Sequence, residues 1–517
     1  MARLKRLLCT ADQAAALIEP GRTVVCGGFV GAAHPEALTA AIEKRFQKTD
    51  GPSDLTLLYA AGQGDGATRG LNHLAHRGLV KRVIGGHWGL VPKLGQMAIA
   101  GEVEGVIFPQ GVVCQLLRDI AAGRPGCITH VGLGTFIDPE FDGGRLHPNS
   151  PADLVERIEL DGKTWLFYRA FPIHVGLIRA TAADPFGNLV MTEEAVIGEV
   201  LPIAQAVHNC GGIVLAQVRE LLDEPAPPNT VRVPGILVDR IVVAPPEQHH
   251  QTFGEESNPA YFQPQPLGVD IASLLGDPMS LDARRIIAAR ACNELEPGAI
   301  ANLGIGMPEG IARIAAERGI LHDVTLTVES GPIGGVPAGG LSFGASSYPE
   351  AIIDQPSQFD FYDGGGLDFA ALGAAQIDQH GNVNVSKFHD RVAGVGGFVN
   401  ISQNARRLVF CGTMTSGGLE VSVQNGRLVI ENEGRHRKFL QQVEQVSFSG
   451  KLARESGQDV LFVTERAVFR LTPDGLELTE VAPGIDVESQ ILTQMEFRPK
   501  IGKLRQMPAS VFAANLN

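Results

Sequence analysis

The chain repeats itself. Pro20-Gly21-Arg22-Thr23-Val24-Val25-Cys26-Gly27-Gly28, with Pro35-Glu36 shortly after, reappears as Pro297-Gly298-Ala299-Ile300-Ala301-Asn302-Leu303-Gly304-Ile305-Gly306-Met307-Pro308-Glu309. Each copy reads as a turn, a short strand, a glycine-rich loop and a proline that opens a helix. Asp54-Leu55-Thr56-Leu57-Leu58-Tyr59-Ala60-Ala61-Gly62 likewise lines up with Asp323-Val324-Thr325-Leu326-Thr327-Val328-Glu329-Ser330-Gly331, and 180–188 with 374–382. Three matches in one order, at a period far too long for a solenoid, predict two homologous open α/β domains in one polypeptide.

A chain of 517 residues has the volume for two such cores, and its 62 glycines suit many tight strand-to-helix turns. The expected division is residues 1–245, a Pro-rich linker over 246–280, and residues 281–517. Pro245-Pro246, Asn258-Pro259, Pro264-Gln265-Pro266 and Asp277-Pro278 mark the linker, because proline cannot donate to a sheet interior. Just before it, Val231–Val238 reads as the closing strand of the first domain. His249-His250 falls inside the linker without a cysteine or carboxylate at ligand spacing, so it reads as a solvated loop rather than a metal site.

The net charge of −14 argues against nucleic acid as the main partner. One phosphorylated ligand, held by a local cluster, stays compatible with it. Seven cysteines without a C-x-x-C pair predict free thiols, most of them packed in apolar stretches such as those around Cys26 and Cys411. No run of about 18 apolar residues predicts a membrane span. The start of the chain turns polar at Thr10-Ala11-Asp12-Gln13, so a first helix and a cytoplasmic protein are expected rather than a signal peptide.

The alignment of halves sets Glu329 opposite Ala60. Glutamate is disfavoured inside strands and costly when buried without a partner. This one stands at the carboxyl end of a strand, where open α/β sheets bind ligands. Two readings follow: a solvated strand end, or a functional carboxylate. Ser330 beside it lacks a G-x-S-x-G context and is not a hydrolase elbow.

Thr327-Val328-Glu329-Ser330-Gly331-Pro332-Ile333-Gly334-Gly335 resembles the catalytic glutamate motif of family I coenzyme A transferases. The resemblance covers nearly the whole chain and looks closest to single-chain acetate or propionate CoA-transferases. In that family, with its NagB-like fold, the halves are homologous and only the second carries the nucleophile. Phe108-Pro109-Gln110-Gly111 resembles the Pro-Gln-Gly motif, Asn302–Pro308 the CoA-contacting loop, and Ala393-Gly394-Val395-Gly396-Gly397-Phe398 the Gly-x-Gly-Gly loop. Gln358–Gly366 and Ile401-Ser402-Gln403 are similar to family segments too.

The resemblance implies that Glu329 attacks an acyl-CoA thioester and passes through a mixed anhydride to a glutamyl-CoA thioester. It implies Gln110 as an oxyanion donor, with a backbone N–H of Gly396 or Gly397 as the second. Asn302, Gly304, Ile305, Gly306, Met307, Pro308 and Gly394 would contact CoA. Neither a metal nor a permanently bound cofactor is needed. Coenzyme A is substrate and covalent intermediate, the partners are acyl-CoA and small carboxylic acids, and a homo-oligomer is usual. Gly364-Gly365-Gly366 is either a turn or a substrate-side element. The small residues Ala338, Gly339, Gly340, Gly344 and Ala345 would leave room for short acids. An acyl-CoA hydrolase using the same glutamate is the alternative; a non-catalytic binding protein fits poorly with Glu329 and Gln110 both in place.

Overall fold

The computed structural model describes residues 2–513. Its first sheet is built on short apolar runs, and Thr23–Cys26 is buried at all four positions. The parallel strands are β1 (Thr23–Cys26), β2 (Leu55–Tyr59), β3 (Val80–Gly85), β4 (Glu104–Ile107), β5 (Val175–Ala183), β6 (Ile213–Leu221) and β7 (Arg240–Val243). They pair in the order β4-β3-β2-β1-β5-β6-β7. The second sheet holds β8 (Ile300–Leu303), β9 (Thr325–Thr327), β10 (Phe369–Gly373), β11 (Arg407–Cys411) and β12 (Asp459–Val463). These are parallel in the order β9-β8-β10-β11-β12, and antiparallel strands extend the sheet beyond β12. Helices bridge successive strands, as parallel pairing requires. The architecture is α/β.

The repeat holds residue by residue. Thr23 pairs with Thr56 in the first sheet, and their counterparts Ile300 and Thr325 pair in the second. Val24 pairs with Val175, and Ala301 with Phe369, at one common offset. The turn after β5 is copied hydrogen bond by hydrogen bond. Gly187 N–H donates to Asp184 O at 2.8 Å and Gly381 N–H to Asp378 O at 2.9 Å. The Asn188 amide reaches Asp184 Oδ2 at 2.9 Å, and Asn382 reaches Asp378 Oδ2 at 3.0 Å. A register slip would turn a strand inside out, so identical registers in both sheets reflect a fold used twice.

One apolar core runs through both sheets, taking in Val25 and Leu58 from the first and Phe410 and Phe462 from the second. The halves are therefore packed against each other as well as joined in sequence.

Three expectations need correction here. His249 is buried, its Nε2 3.4 Å from Glu194 Oε1, where a solvated loop was expected. Phe253 packs so tightly on Gly31 that a Cβ there would lie 2.2 Å from its ring, and Arg69 stacks over that ring at 4.1 Å. The beginning of the Pro-rich segment is thus docked structure, held by side chains that a count of prolines does not register. Val231–Val238 is strand only over Val231–Val233, which does lie at an edge of the first sheet, but antiparallel to the short strand Leu189–Val190 rather than in the parallel run, which ends at β7. Pro234 ends that short strand, because it brings no amide to a ladder.

Candidate active site

The cavity lies at the carboxyl ends of β8, β9 and β10, with loops of the first half as its other wall. Glu329 stands two residues past β9. A tight turn places it, with Gly331 N–H on Val328 O at 3.0 Å. Gly331 has φ +126°, and a Cβ there would sit 2.1 Å from Ile353 O, so only glycine serves. Asn302, at the end of β8, donates to Thr327 O at 3.2 Å and lies 3.4 Å from Glu329 Oε2. The Tyr362 hydroxyl donates to Thr327 Oγ1 at 2.8 Å and fixes the same strand end. Ser330 spends its hydroxyl on Gly344 O.

The opposite wall is stitched across the two halves. Gly86 O accepts the amides of both Val395 and Gly396 at 2.9 Å, and Trp88 N–H donates to Ala393 O at 2.7 Å. Gln110 opens helix α1 (Gln110–Ala121) and gives its backbone N–H to Gly396 O at 2.9 Å. Its side chain is buried at 2% exposure, and its Nε2 has no acceptor among the described residues. An unspent buried donor is costly, and it suits a ligand oxygen that gains negative charge. The Gly396 amide is committed to Gly86. Gly397 is the one whose N–H has no described acceptor, and its absent Cβ would lie 3.4 Å from Glu329 Cγ.

Burial dominates the electrostatics. Desolvation raises the Glu329 carboxyl above the ordinary carboxylate value, opposed by hydrogen bonds from its own amide and from Asn302. His87 is pushed down to about 4 by burial, so its imidazole is neutral at neutral pH. Burial lifts the Cys411 thiol to about 12, far from thiolate, against a smaller pull from Lys438.

Of the residues singled out in the sequence, Glu329, Gln110, Asn302, Gly304, Ile305, Met307, Gly394, Gly396 and Gly397 line one cavity of about 460 Å³. Gly306 and Pro308 do not line it: Gly306 O accepts from Arg284, and Pro308 O accepts the Ile311 amide at the start of a helix. The glycines 364–366 form a turn at the end of the helix Gln355–Asp363, away from the cavity. The small residues 338–340, 344 and 345 leave no space at the site either. Phe343 lines it, and Gly344 makes room for the Phe29 ring, 2.3 Å from where its Cβ would be.

The sequence profile described as Coenzyme A transferase matches residues 9–244. Acetate CoA-transferase YdiF of Escherichia coli (strain K12) is 41% identical over 497 residues, 95% of this chain and 93% of that protein. The chain belongs to the coenzyme A transferase family. Caffeate CoA-transferase of Acetobacterium woodii is 42% identical, with 98% of this chain and 97% of the relative covered. The crystal structure of acyl-CoA transferase YdiF from E. coli O157:H7, a thioester complex with CoA, superposes at a TM-score of 0.92. It shares 40% identity and covers 98% of this chain and 96% of that one. As a CoA-transferase, the protein moves CoA between an acyl-CoA and an acid.

Two titratable cavity residues of this CoA-transferase, His87 and Lys438, escaped the sequence reading. His87 follows β3 and the glycine pair Gly85-Gly86, a strand-end signal that was there to be used. Lys438 ends the run Arg435-His436-Arg437 and reads as a solvated basic stretch, although its side chain turns inward to the cavity.

Proposed function

We propose that the protein transfers CoA between short-chain acyl-CoA thioesters, such as those of acetate and propionate, and free monocarboxylic acids through covalent chemistry at Glu329. The observation that carries this reading is the convergence of Glu329 and the uncommitted Gln110 amide on one cavity. The carboxylate adds to the thioester carbonyl, and the tetrahedral oxyanion collapses with loss of CoA thiolate to leave a mixed anhydride. The thiolate then attacks the glutamyl carbonyl, releasing the first acid and leaving glutamyl-CoA. An incoming carboxylate reverses both steps. Gln110 Nε2 and Gly397 N–H are the oxyanion donors in this scheme.

The acyl group is assigned to the end walled by Phe29, Val30, Leu90 and Phe343. Among the described residues no charged side chain lines that end, which supports acids with one carboxylate and an apolar tail. Residues 1–245 and 281–517 are the proposed homologous domains, with 246–280 between them. Incubating the enzyme with acyl-CoA and measuring intact mass tests the chemistry. A CoA-sized adduct mapped to Glu329, absent in Glu329→Gln along with transfer, is expected. Full activity in that variant would refute the scheme.

One observation favours a second reading, acyl-CoA hydrolysis. His87 lines the cavity with neither ring nitrogen bonded to a described residue, so a neutral imidazole is free to take a proton from water. CoA release measured without any acceptor acid separates the two. Acceptor-independent turnover at the rate seen with acetate would favour the hydrolase.

A further inference from the structure

The cavity extends well beyond Glu329. It passes Gly304 and runs along Gly373, Ala374 and Gly412 to Lys438. Lys438 is the only lysine or arginine among the described residues that line it. Its ammonium has no hydrogen-bond acceptor and no ion-pair partner among the described residues. Gly412 makes the space it occupies: a Cβ there would lie 2.6 Å from Lys438 Nζ and 3.0 Å from Ala374 O. Thr413, next in the chain, lines the same end, with its amide and its hydroxyl both uncommitted among the described residues. Desolvation draws the lysine down to about 8, against the opposing pull of Glu465 and Cys411. A half-buried cation without a partner is costly. In an acidic chain, one kept in this way points to an anionic ligand.

Distance identifies the anion. Gly412 follows β11, and Glu329 follows β9. The order β9-β8-β10-β11 separates them by three strand spacings, about 14 Å at ~4.8 Å each. The pantetheine arm of CoA, from its sulfur to its first phosphorus, is about as long as four extended residues, or roughly 14 Å. With the sulfur at Glu329, the pyrophosphate reaches Lys438.

We propose that Lys438, with Thr413, anchors the pyrophosphate of coenzyme A and so sets the register of the thioester on Glu329. This rests on the reading of Glu329 as the site of acyl-CoA chemistry. In the anchor, Lys438 is a binding and positioning residue, and no bond is made or broken there.

The test compares two donors, an acyl-CoA and the corresponding acyl-pantetheine, which carries the same thioester and arm without phosphates. Lys438→Gln is expected to lower kcat/KM for acyl-CoA by ~10–100-fold, the scale of one charge-assisted contact. It leaves kcat/KM for acyl-pantetheine within about twofold of wild type, and Lys438→Arg recovers most of the loss. An equal loss with both donors, in Lys438→Gln and Lys438→Met alike, overturns the proposal. So does a defect confined to KM for the acceptor acid, which would assign Lys438 to that carboxylate. Failure of the underlying reading looks different: wild-type enzyme would then form no adduct at Glu329, neither of CoA from acyl-CoA nor of pantetheine from acyl-pantetheine.

Discussion

Gln110 is the residue whose energetics and proposed chemistry point in opposite directions. A buried amide donor without an acceptor costs about 1–3 kcal/mol, a cost relieved once an oxyanion forms against it. Gln110→Ala is therefore expected to lower kcat by ~10²–10³-fold while leaving the melting temperature unchanged or raised. Steady-state kinetics beside thermal melting check both halves. The Glu329 carboxyl is raised by burial above its ordinary value of 4.5, and only its ionised form is a nucleophile. The acid limb of kcat/KM against pH is accordingly expected above 4.5, with activity falling as pH drops through it. His87, held at about 4, adds no second limb between pH 5 and 8. At this scale the sequence was legible where a residue clashed with its context, as glutamate does at a strand end. Lys438 among basic neighbours offered no clash, and only the cavity distinguishes it.

Among the elements, the loop after β3 joins the halves. A Cβ on Gly86 would sit 2.2 Å from Ala60 O, and Gly86 O takes two amides from the second half. Gly86→Ala is expected to cost more than about 2 kcal/mol of stability and to lower kcat with it, because Gln110 and Gly397 lose their common frame. Chemical denaturation and kinetics on one preparation measure the pair. Strands and glycine-rich loops of both halves could be read from the repeat, since turn chemistry and burial leave a pattern in a single sequence. The place of Val231–Val233 at the sheet edge could be read, but not its partner, because a β-branched run is the same against the parallel strands as against the short strand Leu189–Val190. Long-range packing decides that choice, as it does for Phe253 on Gly31.

At the scale of the whole molecule, the shared core links stability to one carboxyl. Glu199 caps the helix Val200–Asn209, is fully buried, and has neither oxygen hydrogen-bonded among the described residues. Desolvation lifts it to about 8, against a smaller lowering effect of the nearby Glu199 and Gly28 backbone amides. Between 4.5 and 8 the folded state holds a proton that the unfolded chain has released, so stability falls as pH rises through that window. Glu199→Gln is expected to exceed wild type in unfolding free energy at pH 8, by on the order of a few kcal/mol. The gap closes near pH 4, and denaturation curves across this range test it. Glu199 also holds the position in its helix that Gly397 holds in the other half, the N-cap of the helix that leads into the next parallel strand, β6 in one half and β11 in the other.

That exchange leaves the two halves chemically unequal. Here one copy has a carboxylate on the strand end and a bare glycine on the facing helix cap, and the other has alanine and glutamate in those places. A second such site in the first half would need at least Ala60→Glu and Glu199→Gly together. On the proposed reading the polypeptide therefore has one workplace, and its first half serves as the wall.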